Sequence, residues 1–279
     1  MEVMYEKYWG LTEKPFENSP DPRFMYYSKK HEEALMRLLY ATKEEKGAAM
    51  LTGEYGSGKT ILSRILIDEL IKNKIYEVAL VTHPQLTPVQ FIQEIIYQLK
   101  NEHVKGSKPH LLHIMQDIVY KNFNEGKKTV ILIDEAQIIK NRETFEELRL
   151  FLNFQLNEKF LITLVLIGQP ELLKKIDAIP QLQQRLGIKY HLIGLNSTET
   201  EEYIKHRISV AGGKTDIFAQ EVFEIIYEYS AGLPRKINNV CDMSLLIGFG
   251  QEEKFISREL IEKVITDLNI GASVYAKDV

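Results

Sequence analysis

Eight residues, Gly53-Glu54-Tyr55-Gly56-Ser57-Gly58-Lys59-Thr60, fit the spacing G-x-x-x-x-G-K-[ST] between an apolar run and a helical pattern that opens at Ile61. Glycines so spaced let consecutive backbone N–H groups turn inward around a β-phosphate. A lysine at the loop's end puts a point charge on the β/γ oxygens, and the threonine hydroxyl is a ligand for Mg²⁺. The implied chemistry is ATP binding by Glu54, Tyr55, Gly56, Ser57, Gly58, Lys59, Thr60 and Ile61, with Mg²⁺ on Thr60. A second apolar run, Thr129 to Ile133, ends in Asp134 and Glu135. Asp134 is the expected second metal residue, and Glu135 the base that orients and activates the attacking water. The bland alternative is a solvated pair at the start of a loop. A third run, Leu164 to Gly168, ends in Gln169, a sensor candidate for the water or the γ-phosphate unless Gly168-Gln169-Pro170 is merely a turn.

Those residues need elements to hold them. Apolar runs at Ala48–Gly53, Glu77–Thr82, Thr129–Asp134, Leu161–Gly168 and Lys189–Ile193 alternate with helical patterns, the signature of an α/β fold with a five-stranded parallel sheet between helices. All five are expected to be buried strands. Thr87-Pro88 reads as an N-cap and first helical residue, with Phe91, Ile95 and Leu99 at helical spacing behind it. Strand signals stop near residue 196. Helices are expected over Ser197–Ala211, Phe218–Tyr229 and Pro234–Ile247, with a fourth after Ser257 and a capping box from Thr198 to Glu201. Two domains result, 1–196 and 197–279, the second acidic, with 14 Asp/Glu against 9 Lys/Arg. The aromatics Tyr5, Tyr8, Trp9, Phe16, Phe24, Tyr26 and Tyr27 are expected to pack an irregular leader onto the sheet.

At 279 residues, with 44% hydrophobic and 27% charged, the composition excludes disordered, collagenous and disulfide-framework classes. The net charge of −4 gives no overall basic signal for nucleic acid or anionic membrane. One cysteine, Cys241, closes no intrachain disulfide and is read as a small apolar helix residue. No apolar stretch approaches the ~20 residues of a membrane span, so a cytoplasmic protein is expected. His83, His103, His110 and His113 form no metal-ligand pattern, and a serine-hydrolase element is absent.

Phosphate loop, Asp-Glu strand end, sensor strand and C-terminal helices together resemble an AAA+ ATPase over nearly the whole chain. Tyr8-Trp9-Gly10-Leu11, Lys14-Pro15-Phe16, Pro20-Asp21-Pro22-Arg23-Phe24 and His31-Glu32-Glu33-Ala34-Leu35 are similar to the start of ATPases of the general secretion pathway protein A (ExeA) and MSHA biogenesis type. The resemblance implies that the helical part is a lid. It implies that Gln169 stands at sensor 1, where many relatives carry Asn or Thr. Arg185, in Gln183-Gln184-Arg185-Leu186, would be an arginine finger reaching a neighbouring subunit's γ-phosphate, its bland alternative being a salt bridge or a hydrogen bond to a helix end. Arg235, in Gly232-Leu233-Pro234-Arg235, would be the sensor 2 residue on the nucleotide phosphates. An arginine in a first helical turn faces the positive end of the dipole, so a phosphate rather than the helix favours it there; pairing with a carboxylate is the alternative.

The function expected is ATP hydrolysis with Mg²⁺ at subunit interfaces of a ring or helical homo-oligomer, driving assembly of a secretion, pilus or polysaccharide-export system. A protein or cell-envelope partner is implied, with attachment at most peripheral to the inner membrane. The second choice is a DNA-binding matchmaker in transposition or replication, against which the charge balance and a missing winged-helix domain count. Small-molecule kinase activity is third, because consecutive Asp-Glu suits hydrolysis better than transfer.

Overall fold

The structure, a computed structural model, describes residues 5–156 and 159–275. Short helix α1 (Tyr5–Tyr8) and a 3₁₀ turn at Pro22–Phe24 precede α2 (Lys29–Lys43), β1 (Ala48–Gly53), α3 (Lys59–Lys72) and β2 (Tyr76–Val81). Next come α4 (Pro88–Lys100), α5 (Lys108–Asn124), β3 (Lys128–Ile133), α6 (Arg142–Phe151) and a small hairpin of β4 (Gln155–Leu156) and β5 (Lys159–Phe160). Strand β6 (Ile162–Gly168), helices α7 (Glu171–Asp177) and α8 (Pro180–Gln183), and β7 (Leu186–Leu192) follow. Helices α9 (Ser197–Val210), α10 (Val222–Ser230), α11 (Pro234–Gly250) and α12 (Arg258–Tyr275) come last among the described elements. None of the described helices is long and apolar enough to cross a membrane.

The chain divides into two units. One takes Lys29–Glu54 and Lys59–Leu192. Its sheet is wholly parallel, in the order β2-β3-β6-β1-β7. Registers Ile133↔Leu166 and Thr52↔Gly168 bring the carboxyl ends of β3, β6 and β1 to one edge, the position where parallel sheets deliver functional side chains. Strands β1, β3 and β6 are buried as expected from their unbroken apolar runs, while β2 and β7 are not. These two are the sheet's edges. On β7 Leu186 and Leu192 are buried while Gly187, Lys189 and His191 are exposed, so the strand starts three residues before the apolar signal suggests. Helix α4 opens as expected: Thr87 caps it, Pro88 follows, and Gln90 completes a capping box.

The second unit takes the chain up to Ser28, residues Tyr55–Gly58, and the chain from Ile193 onward. Its core corrects the expectation for the aromatic leader. Tyr5, Trp9, Leu11, Phe16 and Phe24 lie in one cluster with Tyr203, Ile208, Phe218, Ile237 and Leu245, not on the sheet. Four amphipathic helices alone leave part of their apolar faces uncovered, and the leader supplies the missing cover. Trp9 Nε1 donates to the Leu245 carbonyl at 2.9 Å. Helix α9 is capped by Asn196 with Glu199 rather than by Thr198 with Glu201, because Asn196 offers the same spacing two residues earlier. Phe218 lies outside α10 and instead bridges to Ile256. Cys241 is fully buried in this cluster.

Arg207, 6% exposed, fastens the leader to α9. Its guanidinium donates to the carbonyls of Pro15 and Glu17 and to the Tyr203 hydroxyl, and lies 4.9 Å over the Phe24 ring. Removing it leaves the buried Pro15 carbonyl without its donor, takes another from the Glu17 carbonyl and empties the space beside Phe24, so Arg207→Ala is expected to cost this unit on the order of 3 kcal/mol. Denaturant titration followed by Trp9 fluorescence reads the loss.

Candidate functional site

The phosphate loop is shaped by its glycines. Gly56 and Gly58 have φ of +79° and +99°, a left-handed region that side chains rarely adopt. Lys59 begins α3 and is 5% exposed. Its ammonium donates to the carbonyls of Gly53 and Glu54, both at 2.8 Å, so it closes back across the loop's start. Burial pulls this ammonium below its usual range; Glu135, Asp134, Glu54 and Glu171 pull it back up.

Asp134 follows β3 and is 4% exposed. Its backbone N–H continues the ladder to the Val81 carbonyl at 3.0 Å. Its carboxylate accepts from the Glu135 N–H at 2.9 Å and is hydrogen-bonded to Thr60. Burial pushes the carboxyl above its usual range and the Glu135 charge adds to this, while the Glu135 N–H, Lys59 and Thr60 oppose it. A buried carboxylate bonded to a hydroxyl and beside a second carboxylate is a hard-oxygen donor set whose excess negative charge suits Mg²⁺. The residues therefore fit the metal that the loop implies.

Glu135 adopts a left-handed backbone, φ 52° and ψ 35°, at the head of a 3₁₀ turn, Ala136–Ile138. Ile138 N–H closes the turn onto the Glu135 carbonyl at 2.9 Å. Gln169, half-buried, begins the turn after β6, and its backbone N–H is tied to Gln137. The sheet unit thus brings together Lys59, Thr60, Asp134, Glu135 and, through Gln137, Gln169. Gln137 belongs to none of the motifs in the sequence. Its only signal there is an amide two positions beyond Glu135.

Arg185 is half-buried, and its Nη1 donates to the Leu152 carbonyl, just past α6, at 2.6 Å. Within its own chain it makes the helix-end bond that was the bland alternative.

In the helical unit, Gly232 (φ +69°) makes the connection into α11 possible, since a Cβ there would lie 1.9 Å from the Leu195 oxygen. Pro234 then opens α11 and sets Arg235 in its first turn. The Arg235 guanidinium lies 4.5 Å over the Tyr55 ring, and its backbone N–H donates to the Gly56 carbonyl at 3.3 Å. A Cβ on Gly56 would come within 2.5 Å of Arg235 Cβ, so glycine at 56 is what lets the two segments touch. No carboxylate pairs with Arg235 among the described contacts; its cation rests on an aromatic face instead.

Residues 42–176 match the AAA domain family. The chain carries an AAA domain. It is 37% identical over 252 residues to general secretion pathway protein A of Aeromonas hydrophila, covering 89% of this chain and 45% of that protein. The chain therefore spans less than half the length of that relative. Among solved structures, the ORC2 protein of Aeropyrum pernix, in ADPNP–ADP complexes, is similar with a TM-score of 0.66 and 18% identity, over 91% of this chain and 71% of that one. Cdc6p of Pyrobaculum aerophilum is similar with a TM-score of 0.68 and 15% identity, over 90% and 69%. The fold is that of the P-loop AAA+ proteins.

Proposed function

We propose that this AAA+ protein binds ATP with Mg²⁺ and hydrolyses it to ADP and phosphate, using the binding energy to assemble a homo-oligomer that serves an export or envelope-assembly system. The observation that carries the reading is the arrangement on one sheet edge: a buried Lys59 ammonium folded onto the Gly53 and Glu54 carbonyls at the end of β1, in the field of the Asp134 and Glu135 carboxylates at the end of β3, with Thr60 on Asp134. That combination has a cation for phosphate oxygens, oxygen donors for Mg²⁺ and a base for water.

In this reading residues 54–61 hold the triphosphate, and Thr60 and Asp134 hold the metal, which would neutralise charge on the β/γ oxygens. Glu135 takes a proton from the attacking water, Gln169 senses the γ-phosphate, and Arg235 leaves the Tyr55 ring for the phosphates. Arg185 acts on a neighbouring subunit's nucleotide, exchanging its bond to Leu152 for an anionic partner. The helical unit serves as the lid. The export role rests on the likeness to general secretion pathway protein A.

Steady-state ATP hydrolysis across protein concentration, with and without double-stranded DNA at fixed salt, tests the proposal. Specific activity is expected to rise cooperatively with protein concentration and to ignore DNA; strong stimulation by DNA would replace export with a nucleic-acid role. Arg185→Ala is expected to bind ATP, hydrolyse it about 10²-fold or more slowly, and recover in mixtures with Glu135→Gln subunits. Absence of recovery would remove the finger in trans.

A further inference from the structure

One amide spans the gap between the end of β3 and the end of β6. Gln137 Nε2 donates to Glu135 Oε2 at 2.5 Å, and Gln137 Oε1 accepts from the Gln169 backbone N–H at 3.1 Å. The chemistry fixes the amide's orientation, because the reverse would set oxygen against a carboxylate and N–H₂ against an N–H. The surrounding chain is built for the contact. Lys175 Nζ donates to the carbonyls of Gln137 and Ile139 at 2.5 and 2.7 Å, holding the turn that carries the amide. Residue 168 is glycine, and a Cβ there would stand 2.7 Å from Gln137 Oε1 and 3.3 Å from its backbone nitrogen.

A glutamate carboxylate on its own turns freely about its last torsion, whose wells are broad and two-fold. Bound by one oxygen to a donor, it holds a single orientation and keeps the other oxygen open. We propose that Gln137 is a positioning residue for hydrolysis: it pins Glu135 by Oε2, leaves Oε1 to accept the proton of the attacking water, and couples that carboxylate to the sensor strand through the Gln169 N–H. This rests on the reading of Glu135 as the base.

Two variants separate the hydrogen bonds from mere bulk. Gln137→Met fills similar space and makes neither bond. Gln137→Glu reproduces both when protonated, its O–H donating to Glu135 and its C=O accepting from Gln169; when ionised it still accepts from the Gln169 N–H but has no proton to donate and repels the Glu135 carboxylate. Gln137→Met is expected to lower kcat about 10- to 100-fold with KM changed less than about threefold, at every pH. Gln137→Glu is expected to approach wild-type kcat at the acid end and lose it as pH rises, over a range where the wild type does not.

A readout without nucleotide is hydrogen exchange. The Gln169 amide is expected to exchange about tenfold faster in Gln137→Met than in the wild type, a loss of protection of the size one hydrogen bond provides. Wild-type or raised kcat in Gln137→Met, identical pH profiles for the two variants, or unchanged Gln169 exchange would each overturn the proposal. Failure of the underlying reading looks different: then the wild type hydrolyses no ATP, or Glu135→Gln turns over normally.

Discussion

Glu135→Gln is expected to bind ATP at least as tightly as the wild type and to turn it over about 10²- to 10⁴-fold more slowly, the ~3 to 5 kcal/mol that a positioned general base contributes. The substitution keeps the shape of the side chain, and its carbonyl oxygen still accepts from Gln137. What disappears is the ability to take a proton. It also removes one negative charge from beside Asp134 and Lys59, which favours an anionic ligand, so affinity has no reason to fall. Single-turnover hydrolysis and equilibrium binding of ATP on the same preparation check both halves. Normal turnover would remove Glu135 as the base, and lost binding would make it a ligand residue instead.

Lys59→Met is the second large effect, and it is read with and without nucleotide. Without ATP, the variant relieves a buried ammonium but takes the donor from the Gly53 and Glu54 carbonyls, so the two changes oppose each other. The melting temperature of the variant without ATP is therefore expected to stay within a few degrees of the wild type's, about 2 to 4 °C for each kcal/mol left over. With ATP at about 100 times its Kd, the wild type is expected to gain ~2.7 kcal/mol, roughly 5 to 10 °C in a chain this size, while the variant gains nothing. Thermal melts with and without ATP and Mg²⁺ read both quantities. An undiminished ATP shift in Lys59→Met would sink the phosphate-loop assignment.

The residues that make the sheet and the loop were readable because each announces itself locally. An unbroken apolar run such as Val130 to Ile133 has nowhere to go but a covered strand, and the glycines and lysine of residues 53–60 have one common use at that spacing. The misplaced features depend on partners distant in sequence. β7 lost its first residues because an edge strand has one neighbour and alternates with solvent, so Gly187 to Lys189 carries no apolar signal. The leader's cover for α9 and α11 follows from Arg207 reaching carbonyls some 190 residues away, which no window of sequence displays. Gln137 escaped for the same reason. Its meaning comes from Gly168 and Gln169, on a strand that only the parallel register with β3 brings alongside.

The joining of the leader to the last four helices also sets an order of events at the ribosome. Tyr5, Trp9, Phe16 and Phe24 emerge before the sheet unit, yet the helices that cover them lie beyond Ile193. At ~5 to 20 residues per second, they wait roughly ten to thirty seconds while the whole sheet unit is synthesised between them and their partners. For that interval the nascent chain presents an aromatic segment with no core to enter. Completion of the helical unit therefore waits on synthesis of the sheet unit, and moving residues 5–28 to follow α12 would shorten the wait.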